Sequence, residues 1–317
     1  MALSLQDLGE QGLLKLLKPF CSDRVGDDGA VMGSLPMGYE LVVTTDILID
    51  GVHFSPQTTS PEDAGWRAAA ANLSDLAAMG ASPWGVTLAL GLPRDTELDW
   101  ILGVYRGFTA CLKKYGTELV GGDTVRSPIK TIAVTAFGQV PSDQIIYRHT
   151  AQVGDLIVIT GEHGLSKAGL EILLNPDLAQ DLSIPAIAKL HLAHQRPTPR
   201  LDALPLPYRV SGMDSSDGLG DAIAQICDAS GVSAKLDLGK TVIAEEIQIV
   251  ANRAGVQAID WVMYGGEDFE LVLCLEPNHA HQFLNKLPKS RVIGEIIPKN
   301  PDRNFNMART FQHFCPN

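Results

Sequence analysis

Apolar and polar positions along this chain switch repeatedly between a two-residue and a helical period. Residues 40–48 alternate with β-branched side chains and run through Thr44-Thr45-Asp46, which predicts a strand with Asp46 at or near its end. Ser60-Pro61-Glu62-Asp63 then offers an N-cap, a proline at the first helical position and an acid three residues after the cap. The alanine-rich stretch that follows predicts a helix to Met79, stopped by Gly80, with Asn72 and Asp75 on one face. Residues 84–92 read as a buried strand, 96–115 as a second helix closed at Gly116, 118–120 as a short strand entering Gly-Gly-Asp, and 130–140 as a further strand.

A polar stretch at 141–153, containing Arg148, changes the character of the chain and divides it into expected domains of residues 1–146 and 147–317. Beyond it come a strand (155–160), helices on either side of Asn175-Pro176, a breaker at 196–200, and a strand into Met213. A helix over 217–229 closes at Gly231, and strands follow at 232–238, 269–275 and 291–297. Strands alternating with helices in both halves predict two α/β domains.

Composition narrows the function classes. A chain of 317 residues with 45% hydrophobic and 20% charged residues has enough apolar material for two packed cores. The net charge of −12 argues against nonspecific nucleic-acid binding, which depends on clustered Lys and Arg. No apolar run approaches bilayer length, and residues 1–10 lack the basic flank of a secretory leader, so a cytoplasmic protein is expected. Five dispersed cysteines without a Cys-x-x-Cys pair fit reduced thiols.

The candidate chemistry lies in short acidic motifs beside glycine or hydroxyl residues: Gly26-Asp27-Asp28, Thr44-Thr45-Asp46, Asn72-Leu73-Ser74-Asp75, Gly121-Gly122-Asp123-Thr124, Asp214-Ser215-Ser216-Asp217 and Gly265-Gly266-Glu267-Asp268. Carboxylates and small oxygen donors are what Mg2+ takes, bridging them to substrate phosphates. Each motif alone also fits ordinary turn chemistry, Asp75 a solvated helix face, and Asp217 a favourable charge at a helix start. Arg126 and Arg148 are candidate phosphate contacts, while His53 fits either a phosphate contact or plain surface. A P-loop is absent, because Gly239-Lys240-Thr241 has Ala234 where its first glycine belongs; Gly-x-Gly-x-x-Gly and the protein-kinase signatures are absent too.

In their order and wording, Gly-Asp-Asp-Gly-Ala (26–30), Thr-Thr-Asp-x4-Gly-Val-His-Phe (44–54), Asn-Leu-Ser-Asp-Leu-Ala-Ala-Met-Gly-Ala (72–81), Gly-Gly-Asp-Thr-x-Arg-Ser (121–127), Asp-x-Ser-Asp-Gly-Leu (214–219) and Gly-Gly-Glu-Asp-Phe-Glu-Leu (265–271) resemble the thiamine-monophosphate kinases. That family sits in a wider superfamily with aminoimidazole ribonucleotide synthetase, selenophosphate synthetase and a hydrogenase-maturation factor. The resemblance implies two α/β domains with an amino-terminal mixed sheet, dimerisation through the amino-terminal sheets, and a cleft between domains for ATP, Mg2+ and thiamine phosphate. It implies Asp28, Thr44, Thr45, Asp46, Asp75, Asp123, Asp214 and Asp217 around several Mg2+ ions. Tyr105, Gly122, Asp123, Arg148 and Ser216 are implied on ATP, and His53, Glu267 and Phe311 on thiamine phosphate. The last motif departs from the family wording, reading Thr310-Phe311-Gln312-His313-Phe314.

The implied reaction transfers a phosphoryl group from ATP to thiamine phosphate. Its nucleophile is a phosphate oxygen already anionic near neutral pH, so no strong general base is required. The barrier is electrostatic, because two anions must meet in line.

Overall fold

The computed structural model describes residues 5–25, 27–237, 239 and 243–300. It forms two compact units, one made of residues 1–76 and 81–142, the other of 77–80 and 143–317.

The first unit is built on a four-stranded sheet of β1 (Tyr39–Ile49), β2 (Ser82–Leu92), β3 (Leu119–Arg126) and β4 (Thr131–Pro141), in the order β1-β4-β2-β3. β4 pairs antiparallel with β1 and β2, and β2 pairs parallel with β3, so the sheet is mixed. Strict alternation along β4 buries Ile132, Val134, Ala136 and Val140 on one face and leaves Thr131, Ala133, Thr135 and Phe137 half-buried on the other. The same unit holds α1 (Leu5–Leu17), α2 (Pro61–Ala78) and α3 (Leu98–Lys114). α2 starts as its sequence predicts: the Asp63 N–H donates to Ser60 Oγ at 3.2 Å, and the Ser60 hydroxyl donates back to the Asp63 carboxylate at 2.6 Å. α2 and α3 meet backbone to backbone, since a Cβ at Gly107 would stand 1.7 Å from the Glu62 carbonyl oxygen.

Two expectations shift here. Gly121-Gly122-Asp123 lies inside β3, not in a loop after a short strand, because the parallel ladder with β2 continues to Arg126. β1 continues beyond Asp46 to Ile49, since Ile47, Leu48 and Ile49 keep pairing with Ala133, Ile132 and Thr131.

The second unit carries a five-stranded sheet of β5 (Leu156–Ile159), β6 (Val210–Asp214), β7 (Ser233–Leu236), β8 (Leu271–Leu275) and β9 (Arg291–Ile297), ordered β6-β8-β5-β9-β7 and antiparallel throughout. Around it lie α4 (Leu165–Leu174), α5 (Ile184–Gln195), α6 (Leu219–Ser230), α7 (Glu245–Ala254), α8 (Ala258–Tyr264) and α9 (Pro277–Lys286). β6 and β8 are buried at every position, and β8 accordingly reads as a continuous apolar run rather than an alternating one. One face packs Ile157, Met213, Val272 and Cys274 against Leu219 and Ile223, and the other packs Val158, Leu271 and Leu273 against Ala280 and Phe283. Helices α1, α7, α8 and α9 went unread in the sequence, although Pro277 at the first position of α9 is a usable start signal. The four cysteines among the described residues are free, and burial pushes Cys227 up to about 11 and Cys111 up to about 12. No described helix is long and apolar enough to cross a membrane.

Candidate active site

In the first unit the pleat of β1 sorts the expected ligands. Thr44 and Asp46 share the face of β4 that carries Ala136 and Val134, whereas Thr45 pairs with Thr135 on the opposite face. The Thr44 hydroxyl donates to the Asp75 carboxylate at 2.5 Å, joining β1 to α2 and fixing one carboxylate oxygen. The Thr45 hydroxyl instead donates to the Val134 carbonyl at 2.7 Å and receives the Thr135 hydroxyl at 3.2 Å. Asp123 pairs with Ala89, and Ala89 with Ala133, which puts it in a row with Ile47 on the Thr45 face; Gly122, in the next row, aligns with Leu88, Val134 and Asp46. Strand alternation thus divides one expected ligand set between two faces, a consequence of the two-residue period.

His53 follows β1 in a turn. Its Nδ1 accepts the Ile49 N–H at 3.1 Å, so a neutral ring carries its proton on Nε2, and its carbonyl accepts from the buried Arg67 at 3.4 Å. Tyr105 is buried on α3 against Phe20, with ring centroids 5.6 Å apart, and burial raises its phenol above the ordinary value. A cavity of about 410 Å³ beside Phe20 is lined by Cys21, Arg106, Lys113 and Glu118 and by none of the expected site residues. Asp28 is exposed.

In the second unit Asp214 ends β6, is only 3% exposed, and accepts the Ser216 hydroxyl at 2.9 Å. Asp217 is exposed and stands just outside α6, because Gly218 takes the N-cap with φ 110° and the helix begins at Leu219. Arg148 is exposed and donates to the Gln225 side chain at 2.7 Å.

The segment 265–270 is anchored at several points in that unit. The Glu267 N–H donates to the Ser216 carbonyl at 2.7 Å, and a Cβ at Gly266 would stand 2.5 Å from the same oxygen. Glu267 and Phe269 hold φ of 67° and 53°, each costing on the order of 1–3 kcal/mol for a side chain of this kind. Asp268 accepts the Gly164 and Ser166 N–H groups at 2.6 and 2.9 Å. The residue keeps some exposed surface, but its carboxyl is enclosed, and this desolvation raises it to about 7 against the pull of those two N–H groups. Glu270 is raised as well, by burial first, and pairs with Arg200 at 3.2 Å and with the Thr160 hydroxyl. Asp268 was named in the sequence only as part of the Gly-Gly-Glu-Asp motif and without a role, and Glu270 was given none; their place inside Gly-Gly-Glu-Asp-Phe-Glu was the available signal. Phe311 lies outside the described residues.

Among the described residues no group of three or more His, Cys, Asp or Glu side chains converges as a ready-made metal cage. Mg2+ is commonly held by one or two carboxylates and completed by waters and phosphates, so paired oxygens meet its requirement. Two buried oxygens without a hydrogen-bond partner stand beside candidate carboxylates: Asn72 Oδ1, one helical turn before Asp75, and Ser215 Oγ, next to Asp214. Hard oxygen donors at both places fit the ion.

Comparisons with known proteins agree with this reading. Residues 26–140 match the AIR synthase related protein, N-terminal domain, and residues 152–303 its C-terminal domain. A thiamine-monophosphate kinase from Synechococcus elongatus is 49% identical over 98% of both chains. Among solved structures, thiamine-monophosphate kinase from Stenotrophomonas maltophilia superposes with a TM-score of 0.79 at 34% identity, covering 91% of this chain and 94% of that one. AaThiL complexed with AMPPCP and TMP does so with a TM-score of 0.79 at 30% identity, covering 99% and 100%. With similarity along nearly its whole length, this chain belongs to the thiamine-monophosphate kinase family.

Proposed function

We propose that this protein phosphorylates thiamine phosphate to thiamine diphosphate with ATP as donor, by direct in-line transfer. The observation that carries the reading is the 49% identity to a thiamine-monophosphate kinase across 98% of both chains. The chemistry of the side chains supports it. Asp28, Asp46, Asp75, Asp123, Asp214 and Asp217, with the Thr44 hydroxyl and an oxygen of Thr45, are the residues that would hold Mg2+. When bound, Mg2+ neutralises phosphate charge. Such neutralisation is needed in a chain of net charge −12 whose substrates are polyanions. Thr44 fixes Asp75 and Ser216 fixes Asp214, so these carboxylates are oriented before substrate arrives. His53 offers an Nε2 proton to a phosphate oxygen, and Arg148 offers a guanidinium to ATP. Tyr105, Gly122, Asp123 and Ser216 belong to the ATP side. Glu267 supplies a carboxylate that complements the cationic thiazolium of thiamine phosphate, with Phe311 as its aromatic companion. No side chain is required as a strong base, because the accepting oxygen is already anionic.

The test is incubation of the purified protein with ATP, Mg2+ and thiamine phosphate, followed by chromatography. Thiamine diphosphate and ADP in equal amounts from the wild type, and not from Asp46→Asn, are the expected result. ATP consumed without thiamine diphosphate would replace this reading with an ATP-using synthetase of the same superfamily.

The same reading includes a homodimer. Leu41, Val43 and Ile47 lie 49–55% exposed on one face of β1, the edge strand of its sheet, and exposed apolar side chains beside an open sheet edge favour association. Replacing Val43 and Ile47 with lysine is expected to give monomers in sedimentation; an unchanged mass assigns the contact elsewhere.

A further inference from the structure

We propose that Asp268 is a positioning residue for Glu267, holding the loop 265–269 against the start of α4 so that the Glu267 carboxylate faces substrate. The inference rests on the reading of Glu267 as a thiamine phosphate contact.

The backbone on either side of Asp268 supplies the first reason. Glu267 and Phe269 both occupy the left-handed region, at φ 67° and 53°, and neither has the short polar side chain that stabilises this conformation locally. External bonds must hold them there. On one side the Glu267 N–H is tied to the Ser216 carbonyl at 2.7 Å. On the other the Asp268 carboxylate receives the Gly164 N–H at 2.6 Å and the Ser166 N–H at 2.9 Å. These donors belong to the first turn of α4, whose N–H groups have no partner within the helix, and α4 lacks a side-chain cap of its own.

The second reason reaches the Glu267 side chain. Ser166, whose N–H is held by Asp268, has its hydroxyl 3.3 Å from His194 Nδ1, and that nitrogen lies 3.8 Å from Glu267 Oε2. His194 is buried on α5, so the imidazole beside the Glu267 carboxylate is itself fixed by packing. Asp268 therefore acts on Glu267 along two routes, through the adjoining peptide and through Ser166 and His194. A carboxylate is suited to this because it accepts two N–H groups with two oxygens, whereas an amide of the same shape turns a donor toward one of them.

A simple helix cap and a positioning residue differ in what they change. Asp268→Asn, Glu267→Ala and the double variant are compared by steady-state kinetics in both substrates and by thermal denaturation. Asp268→Asn is expected to raise KM for thiamine phosphate about tenfold and to leave KM for ATP within about twofold, the effect of a misplaced binding group. In the Glu267→Ala background the same change should add nothing, because the group it positions is gone. Equal rises in both KM values, or full additivity with Glu267→Ala, would overturn the proposal and leave Asp268 a cap. If Glu267→Ala does not move KM for thiamine phosphate, the assignment of Glu267 falls and the proposal with it. If Glu267→Ala raises that KM and a folded Asp268→Asn does not, only the positioning role falls. Should Asp268→Asn fail to fold, Ser166→Ala keeps the backbone N–H and removes only the hydroxyl facing His194. A selective rise in KM for thiamine phosphate then supports the proposal, and an unchanged KM overturns it.

Discussion

The sequence Gly-Gly-acid occurs twice, and the two copies are used in opposite ways. Gly121-Gly122-Asp123 lies in the edge strand β3, with Gly122 and Asp123 exposed and the Asp123 carboxylate hydrogen-bonded, among the described residues, to the N–H of its neighbour Thr124. Gly265-Gly266-Glu267-Asp268 is a loop pinned to Ser216 on one side and to the first turn of α4 on the other. In the strand, glycine permits close approach to a neighbouring strand: a Cβ at Gly122 would stand 2.1 Å from the Leu88 carbonyl oxygen. In the loop it permits close approach to another loop, and Glu267 and Phe269, on either side of Asp268, are held in conformations their own backbones disfavour. The recurrence therefore records similar local needs for small residues and does not equate the two places in the fold.

The contrast extends to the carboxylates. Asp46 and Asp75 of the first unit are half-exposed, while Asp214 of the second is buried, and Asp268 and Glu270 are raised by burial. The former keep part of their surface open to solvent, whereas burial dominates the setting of the latter. The sharpest test is Asp46→Asn, expected to lower kcat by about 100- to 1,000-fold, the scale of losing one preorganised electrostatic partner, with an unchanged melting temperature. Asp214→Asn should lower both turnover and melting temperature, because it also disturbs a buried bond to Ser216. Equal melting behaviour of the two variants would erase the distinction.

A smaller effect separates the two glycine pairs. Gly266→Ala forces the Ser216 oxygen away from a 2.5 Å contact and should destabilise by about 1–3 kcal/mol. Gly121→Ala meets only the Thr87 methyl at 3.3 Å and should cost less in the same denaturation experiment.

Two further effects are pH dependences of opposite sign. His163 is fully enclosed, neither ring nitrogen has a hydrogen-bond partner, and burial lowers it from 6.5 to about 4. Its neutral form is favoured when folded, so its contribution is present above pH 6.5 and lost as pH falls toward 4. His163→Leu should remove that acid sensitivity from the melting curve. Asp268 is raised from 3.8 to about 7, so its contribution is present below pH 3.8 and lost as pH rises through 7. Asp268→Asn should flatten the melting temperature between pH 4 and 7 relative to wild type, and an unaltered slope would place the titration elsewhere.

Much of this was legible in residue order. The capping pattern at Ser60 to Asp63 predicted α2, and the two-residue alternation predicted β1 and β4 within a residue or two of their observed ends. Both signals are local, set by backbone bonds and side-chain direction within a few residues. The acidic motifs were legible as well, since oxygen donors beside glycine are rare in such number unless phosphate or metal is handled. What residue order left open was which acids share a face and which are enclosed. Thr44 and Thr45 are adjacent yet point to opposite sides of a sheet, and Glu267 and Asp268 are adjacent yet one faces His194 while the other faces the start of α4. Sequence alone pointed to the strands, to helices α2 to α6 and to a list of candidate ligands, because those follow from short-range periodicity and chemistry. Only the tertiary structure decided the antiparallel second sheet, the raised carboxyl of Asp268 and the left-handed turn at Glu267, because each depends on atoms brought together from residues dozens of positions apart.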